Sequence, residues 1–306
     1  TVVSNLLGIK TKSDIYEMGI AKFNNACKET ITSFSGSWEP IFDAIGRMAD
    51  FKKVYKTMDP NFMETVWWCF SELWKKNLVY KSYNVMPYSY GCQTPLSNFE
   101  AKQNYKEIDT KSVYVWFQLI DNPKRGMVAW STTPWTLPSN LALCVNKDIT
   151  YVVCLDENDK EYIVAESSVN NLGIKFVSIT PFGKGSTLVG LRYIPVFDFF
   201  ANADKNYHQV ISDDYVKEGD GTGIVHIAPA FGEADCRVCV QNKIIDMKNL
   251  DKVCPVDDEG CFTEIVKKYH KILVFDANPE IIIDLKKRKL IVKTEQITHQ
   301  YPHCYR

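Results

Sequence analysis

No stretch of the 306-residue chain approaches about eighteen consecutive apolar residues, so no membrane-spanning helix is expected. Neither charge sign is in excess: 36 Lys and Arg stand against 37 Asp and Glu, and no global field gathers a polyanion. Any nucleic-acid contact must then rest on local lysines, with KKVYK (52–56) and KKRK (286–289) as candidates, although such runs are usually solvated faces. The ten cysteines follow no disulfide framework, and a chain of this length can build its own core. Cys236 and Cys239 have a metal-like separation, but Cys254 and Cys261 lie too far downstream for a common zinc ribbon. His299, His303 and Cys304 also cluster, near the end of the sequence. Ordinary thiols in a reducing compartment, and no metal site, are the expectation. Repeats and low-complexity segments are absent, the opening residues TVVSNLLGIKTKSD lack the apolar core expected of a secretory leader, and the abrupt ends suggest a piece of a larger protein.

What is present divides by pattern. The first hundred or so residues read as helical. Ser13 and Asp14 can cap a helix running to about Phe34. A second helix spans Pro60 to Lys76, with Asp59 as N-cap and Pro60 where its missing N–H does no harm. Phe62, Val66, Phe70 and Leu73, flanked by Trp67 and Trp74, give this helix an apolar face so wide that deep burial is expected. From about residue 110 the period changes to two. Strands are expected at 113–119, 127–130, 141–145, 151–155, 161–165, 175–179, 209–211 and 224–227, with helices over about 231–241 and 279–289. The fold class is therefore α+β: a β-barrel-like domain with short helical insertions over 111–290, a mostly helical junction over 1–110, and a return segment over 291–306.

Two polar stretches stand out. Residues 130–140 read WSTTPWTLPSN; Pro134 and Pro138 prevent ladder pairing, and the hydroxyls of Ser131, Thr132, Thr133 and Thr136 are freed for other partners. Taken alone, this is a proline-braced turn with self-bonded hydroxyls. Residues 221–235 run from a glycine turn (Gly221, Gly223) through a short apolar strand carrying His226 to Asp235 in the first turn of a helix, where the helix dipole favours a carboxylate. Alone, Asp235 is a helix-end charge and His226 a core histidine.

In order and spacing these peptides resemble the editing domain of isoleucyl-tRNA synthetases, whose pattern W-T-T-T-P-W-T-L-P-x-N is met here with Ser131 in place of the first threonine. G-T-G-x-V-H-x-A-P with a downstream aspartate is met by 221–235. Pro134-Trp135 stands where the valine and leucine enzymes carry an arginine-containing counterpart, which places the resemblance in the isoleucine branch. YKTMDPNFMETVWW (55–68), MPYSYGCQTPLSNFE (86–100), VCPVDDEGCF (253–262) and THQYPHCYR (298–306) are similar to the cytosolic, eukaryote-type enzymes. The resemblance implies a cytoplasmic hydrolase of misattached valine, acting on the acceptor end of tRNA(Ile) and on valyl-adenylate. It implies that Asp235 holds the α-ammonium, that Thr132, Thr133 and Asn140 contact the ester and terminal adenosine, and that His226 limits side-chain size. Ser131, Trp135, Thr136, Gly223 and Ala228 complete the expected substrate-binding set. Editing is expected to need no cofactor. ATP and magnesium belong to the adenylation site of the whole enzyme, whose H-I-G-H and K-M-S-K-S signatures do not occur here. No general base is evident. Two rivals follow from the same sequence: a non-catalytic module binding the tRNA acceptor end, and a metal-stabilised structural domain.

Overall fold

A computed structural model describes residues 2–201 and 203–304. The chain divides into two units, 1–82 with 91–93, and 83–90 with 94–306.

The smaller unit is helical: α1 (Val2–Leu6), α2 (Lys12–Met18), α3 (Ile20–Gly36), α4 (Trp38–Ala44) and α5 (Pro60–Lys75). The single helix expected from residue 13 is broken at Gly19, whose φ of 95° departs from the helical range, and the cap is Thr11, in a reciprocal capping box with Asp14. Helix α5 begins at Pro60 as the sequence implies, but Asp59 makes no side-chain capping bond. The expected burial of α5 is overturned. Trp67, Trp68 and Trp74 are 71%, 62% and 62% exposed, and no residue of α5 is buried. An apolar stripe shows that a helix has a face to cover; it does not show that the same unit covers it. The lysine run 52–56 lies in this unit, and its Lys52 side chain falls outside the described residues.

The larger unit holds β1 (Tyr88–Ser89), β2 (Thr94–Pro95), α6 (Asn98–Ala101), β3 (Tyr105–Gln118), β4 (Arg125–Ser131), β5 (Ala142–Val145), β6 (Thr150–Leu155), β7 (Glu161–Ala165), β8 (Ser178–Lys184), β9 (Gln209–Ser212), β10 (Val225–Ile227), α7 (Glu233–Gln241), α8 (Val274–Lys287) and β11 (Ile291–Pro302). Nine strands form one mixed sheet, a path from β8 through β6, β7, β4, β10 and β5 to β9, with β3 joining β4 to β11. The path does not close, so the architecture is a half-barrel with helical insertions. Most expected strands fall within a residue or two of their places; that at 175–179 is shifted to Ser178–Lys184. Residues 291–302 form a long strand antiparallel to β3, which itself reaches back to Tyr105. Helix α8 starts five residues before Pro279 and carries that proline inside it. The lost N–H bond is offset by the burial of Val274, Ala277, Ile281, Ile282 and Leu285. Lys286, Lys287, Arg288 and Lys289 lie at its exposed end.

Pleating of β3 sends Val113, Val115 and Phe117 to one face with α8, and Tyr114 and Trp116 to the other with Val128, Val164 and Leu172. Both faces are buried, which anchors β4 as a rigid platform. One edge of β4 pairs with β3; the other is shared between β7 at Arg125–Met127 and β10 at Trp130. At that junction β4 ends, the two polar stretches come together, and a cavity opens.

Candidate active site

The cavity has a volume of about 310 Å³, within the usual range for small-molecule sites. On one side Ser131 closes β4, and 134–139 form a 3-10 turn. Trp135 does not line the cavity. Its ring packs edge-on against Phe231 and Phe275 at 4.8 and 6.1 Å, and its backbone N–H donates to Asn278 Oδ1 at 2.9 Å, which pins the turn to α8. Thr132 lines the cavity, and its hydroxyl has no hydrogen-bond partner among the described residues. Thr133 Oγ1 lies 3.2 Å from Thr136 Oγ1, and the Thr136 hydroxyl donates to the Thr133 carbonyl at 2.8 Å.

Opposite them stands β10. Alternation along it sends Ile227 into the cluster beneath α7 and His226 to the other face, against the turn. His226 Nε2 is 2.9 Å from Thr136 Oγ1 and Nδ1 is 2.8 Å from Asn140 Nδ2. Burial pushes its imidazole down to about 3, so it is neutral at any working pH and a weak base, with both ring nitrogens already committed to the wall. Asn140 does not reach the cavity. Only 3% exposed, it commits its amide to His226, the Ala142 carbonyl and the Tyr193 hydroxyl, and so stands behind the wall. Gly223 also lies behind it. With φ +70°, it is pressed so closely on Ala165 that an added Cβ would come within 2.4 Å of the alanine methyl. Gly221, with φ +56°, does line the cavity, close against Trp130.

Asp235 is the third residue of α7. Its Oδ2 accepts the Ala228 N–H at 2.9 Å, and burial raises its carboxyl to about 6 despite that bond. The helix dipole alone implies an ionised group; the structure adds that ionisation is opposed by desolvation. Above pH 6 the cavity therefore holds a carboxylate that is costly to keep without a cation.

The structure thus brings Ser131, Thr132, Thr133, Thr136, His226, Ala228 and Asp235 to one cavity, and leaves Trp135, Asn140 and Gly223 outside it. The loop 213–223 supplies residues with no motif to announce them: Tyr215, Val216, Lys217 and Asp220. Lys217 is the one cationic side chain among the described lining residues. Trp130 Nε1 and Tyr215 Oη are buried on this wall without a hydrogen-bond partner among the described residues. The signal that could have found this loop is the run of glycines at 219, 221 and 223, all with positive φ, which folds it back over the cavity.

Cys27, Cys69, Cys144, Cys154, Cys236, Cys239, Cys254 and Cys261 are free thiols. Among the described residues no three His, Cys, Asp or Glu side chains gather as a metal site, and no helix is long and apolar enough to cross a membrane.

A family profile described as tRNA synthetases class I (I, L, M and V) matches residues 1–245, and the chain belongs to that family. Within it, the similar relatives are isoleucine–tRNA ligases: the cytoplasmic enzymes of Arabidopsis thaliana (45% identical), Caenorhabditis elegans (46%) and Saccharomyces cerevisiae (44%), matched over 99%, 99% and 100% of this chain. The chain spans 28%, 27% and 29% of those relatives' lengths. A solved structure titled as the P. knowlesi cytosolic leucyl-tRNA synthetase editing domain matches at 13% identity and TM-score 0.39, over 63% of this chain and 97% of that one.

Proposed function

We propose that this chain is the proofreading part of a cytoplasmic isoleucine–tRNA ligase and hydrolyses valine misattached to tRNA(Ile), with valyl-adenylate as a second substrate. The observation that carries the reading is the pairing, in one cavity, of a buried carboxylate with a wall of neutral hydroxyls. An aminoacyl ester offers one ammonium and several oxygens, and this arrangement answers both.

The need for a second site follows from chemistry. Isoleucine and valine differ by one methylene, which a hydrophobic pocket converts into only about 1–3 kcal/mol, a general magnitude for which isoleucine–tRNA ligases are themselves the standard example. Asp235 would receive the ammonium, its free Oδ1 facing a donor while Oδ2 stays on Ala228. Thr132 and Thr133 would meet the ester and the attacking water, with Ser131 and the Ala228 backbone beside them. His226, held rigidly, would set the length of side chain admitted. In the reaction, water oxygen bonds to the ester carbonyl carbon, the carbon–oxygen bond to the ribose breaks, and the ribose oxygen takes up the proton that water gives up. No side chain is positioned as a strong base, and orientation supplies the rate. The reaction consumes only water; ATP and magnesium belong to the adenylation reaction of the whole ligase. The partners proposed are the acceptor end of valyl-tRNA(Ile), with Lys217 at the rim near its phosphates, and the rest of the synthetase.

The test is deacylation of Val-tRNA(Ile) and Ile-tRNA(Ile) by this chain. Fast loss of valine with isoleucine retained supports the reading. Binding of the tRNA without turnover would replace it by the acceptor-end binding module.

A further inference from the structure

Behind the hydroxyl wall runs a chain of hydrogen bonds whose direction is fixed. Its reference point is the Ala142 carbonyl, which can only accept. Because the side-chain amide of Asn140 meets that carbonyl at 2.9 Å, the NH2 group must lie there, and it also faces His226 Nδ1 at 2.8 Å. Nδ1 therefore accepts. A neutral imidazole carries one proton, so the proton sits on Nε2 and is donated to Thr136 Oγ1 at 2.9 Å. The Thr136 hydroxyl proton goes to the Thr133 carbonyl, again an acceptor-only group, at 2.8 Å. Thr133 Oγ1 is left to donate to Thr136 Oγ1 at 3.2 Å, and its lone pairs are free.

At the other end of the chain is Tyr193, to which no motif points. It is completely buried, its ring packed edge-on between Phe117 and His208, and its hydroxyl donates to Asn140 Oδ1 at 2.7 Å. Without that donor the oxygen of the amide would be a buried acceptor with nothing to accept, and only the Ala142 carbonyl would oppose a turn of the amide. An inverted amide would offer its oxygen to Nδ1 and draw the proton there; Thr136 would then donate to the bare Nε2 and give up its side-chain bond to the Thr133 carbonyl.

We infer that Tyr193 is a positioning residue: together with the Ala142 carbonyl it fixes the Asn140 amide, holds His226 as the Nε2-protonated tautomer, and so keeps the Thr136 hydroxyl on the Thr133 carbonyl, the bond that holds Thr132 and Thr133 in place on the cavity wall. This rests on the proofreading reading for its consequence, but not for its geometry. Tyr193 touches no substrate. Its effect belongs to the placement of the hydroxyl wall that orients the reactants and therefore to kcat.

Two measurements on the full 306-residue chain decide it. Nitrogen-15 NMR of histidine-labelled protein reads the tautomer directly: a protonated Nε2 and a bare Nδ1 on His226 support the chain, and a protonated Nδ1 overturns it whether or not the protein hydrolyses anything. Tyr193→Phe, which removes one oxygen, is then compared in Val-tRNA(Ile) deacylation. The expected result is a five- to fiftyfold fall in kcat with KM unchanged, together with mixed His226 tautomers. An unchanged kcat, or a loss confined to KM, overturns the positioning role. If the unaltered protein fails to deacylate Val-tRNA(Ile), the proofreading reading falls, and the tautomer still judges the chain. Should the variant not fold, the tautomer of the unaltered protein decides between the two outcomes.

Discussion

The two sides of the cavity are built on opposite principles. On the threonine side every charge is avoided: His226 is kept neutral by burial, Asn140 and Tyr193 are satisfied, and the turn 134–139 is pinned to α8 through Trp135. On the aspartate side a carboxylate is buried against its own preference, with one backbone N–H in support. The first side is a finished structure that can orient a guest; the second is unfinished until a cation arrives. On the proposed function, catalysis by orientation and recognition by charge would be separated across the cavity, and each could be disturbed without the other.

The largest effect should come from the charged side. Removing one partner of a buried charge pair typically costs about 3–5 kcal/mol, so Asp235→Ala should slow deacylation of Val-tRNA(Ile) roughly a thousandfold, read by single-turnover kinetics. A loss below about tenfold would show that the ammonium is held elsewhere.

The same residue should behave oppositely in stability. A carboxyl raised from 3.8 to about 6 is destabilising by about 3 kcal/mol once ionised. The native state prefers the protonated form, so this penalty is absent below about pH 4 and complete above about pH 6. Urea unfolding of Asp235→Asn should therefore show a gain at pH 8 that disappears at pH 4. His226 and His208, lowered to about 3 and about 4, act with the reverse sign. Both prefer the neutral form when folded, and their contribution is lost as pH falls below about 6.5.

Activity should fall on the acid side with one limb near pH 6, where Asp235 takes a proton, and no second limb from His226. A bell with an apparent pKa near 7 belonging to a histidine would contradict the neutral wall. On that wall, Thr133→Val should lower kcat about tenfold, the scale of one lost hydrogen bond in an oriented site. The smallest change is expected at the rim. Lys217→Ala should raise KM roughly two- to threefold, and the difference should shrink as salt screens the terminal phosphates, with a Debye length of about 8 Å at physiological ionic strength.

Legibility in the sequence follows the same division. The strands of the half-barrel are readable because alternation and turns agree; β11 escapes because its residues are half-exposed along most of their length and lack an apolar period. The breadth of the apolar face on α5 is plain in the sequence, but its exposure is not, since covering a face needs a neighbour that periodicity cannot name. Ser131 to Thr136, His226 and Asp235 emerge from order and spacing. Asn140 emerges too, but its place behind the wall depends on a set of hydrogen bonds that only coordinates supply. Tyr193 and Tyr215 carry no signal, because each acts through a contact distant in sequence.

The most direct measurement is hydrolysis of Val-tRNA(Ile) beside N-acetyl-Val-tRNA(Ile), which has the same ester and side chain but no ammonium. The cavity described here should clear the first and spare the second by about the factor lost in Asp235→Ala. Equal rates on both would contradict the claim that the buried carboxylate recognises the amine of a misattached amino acid.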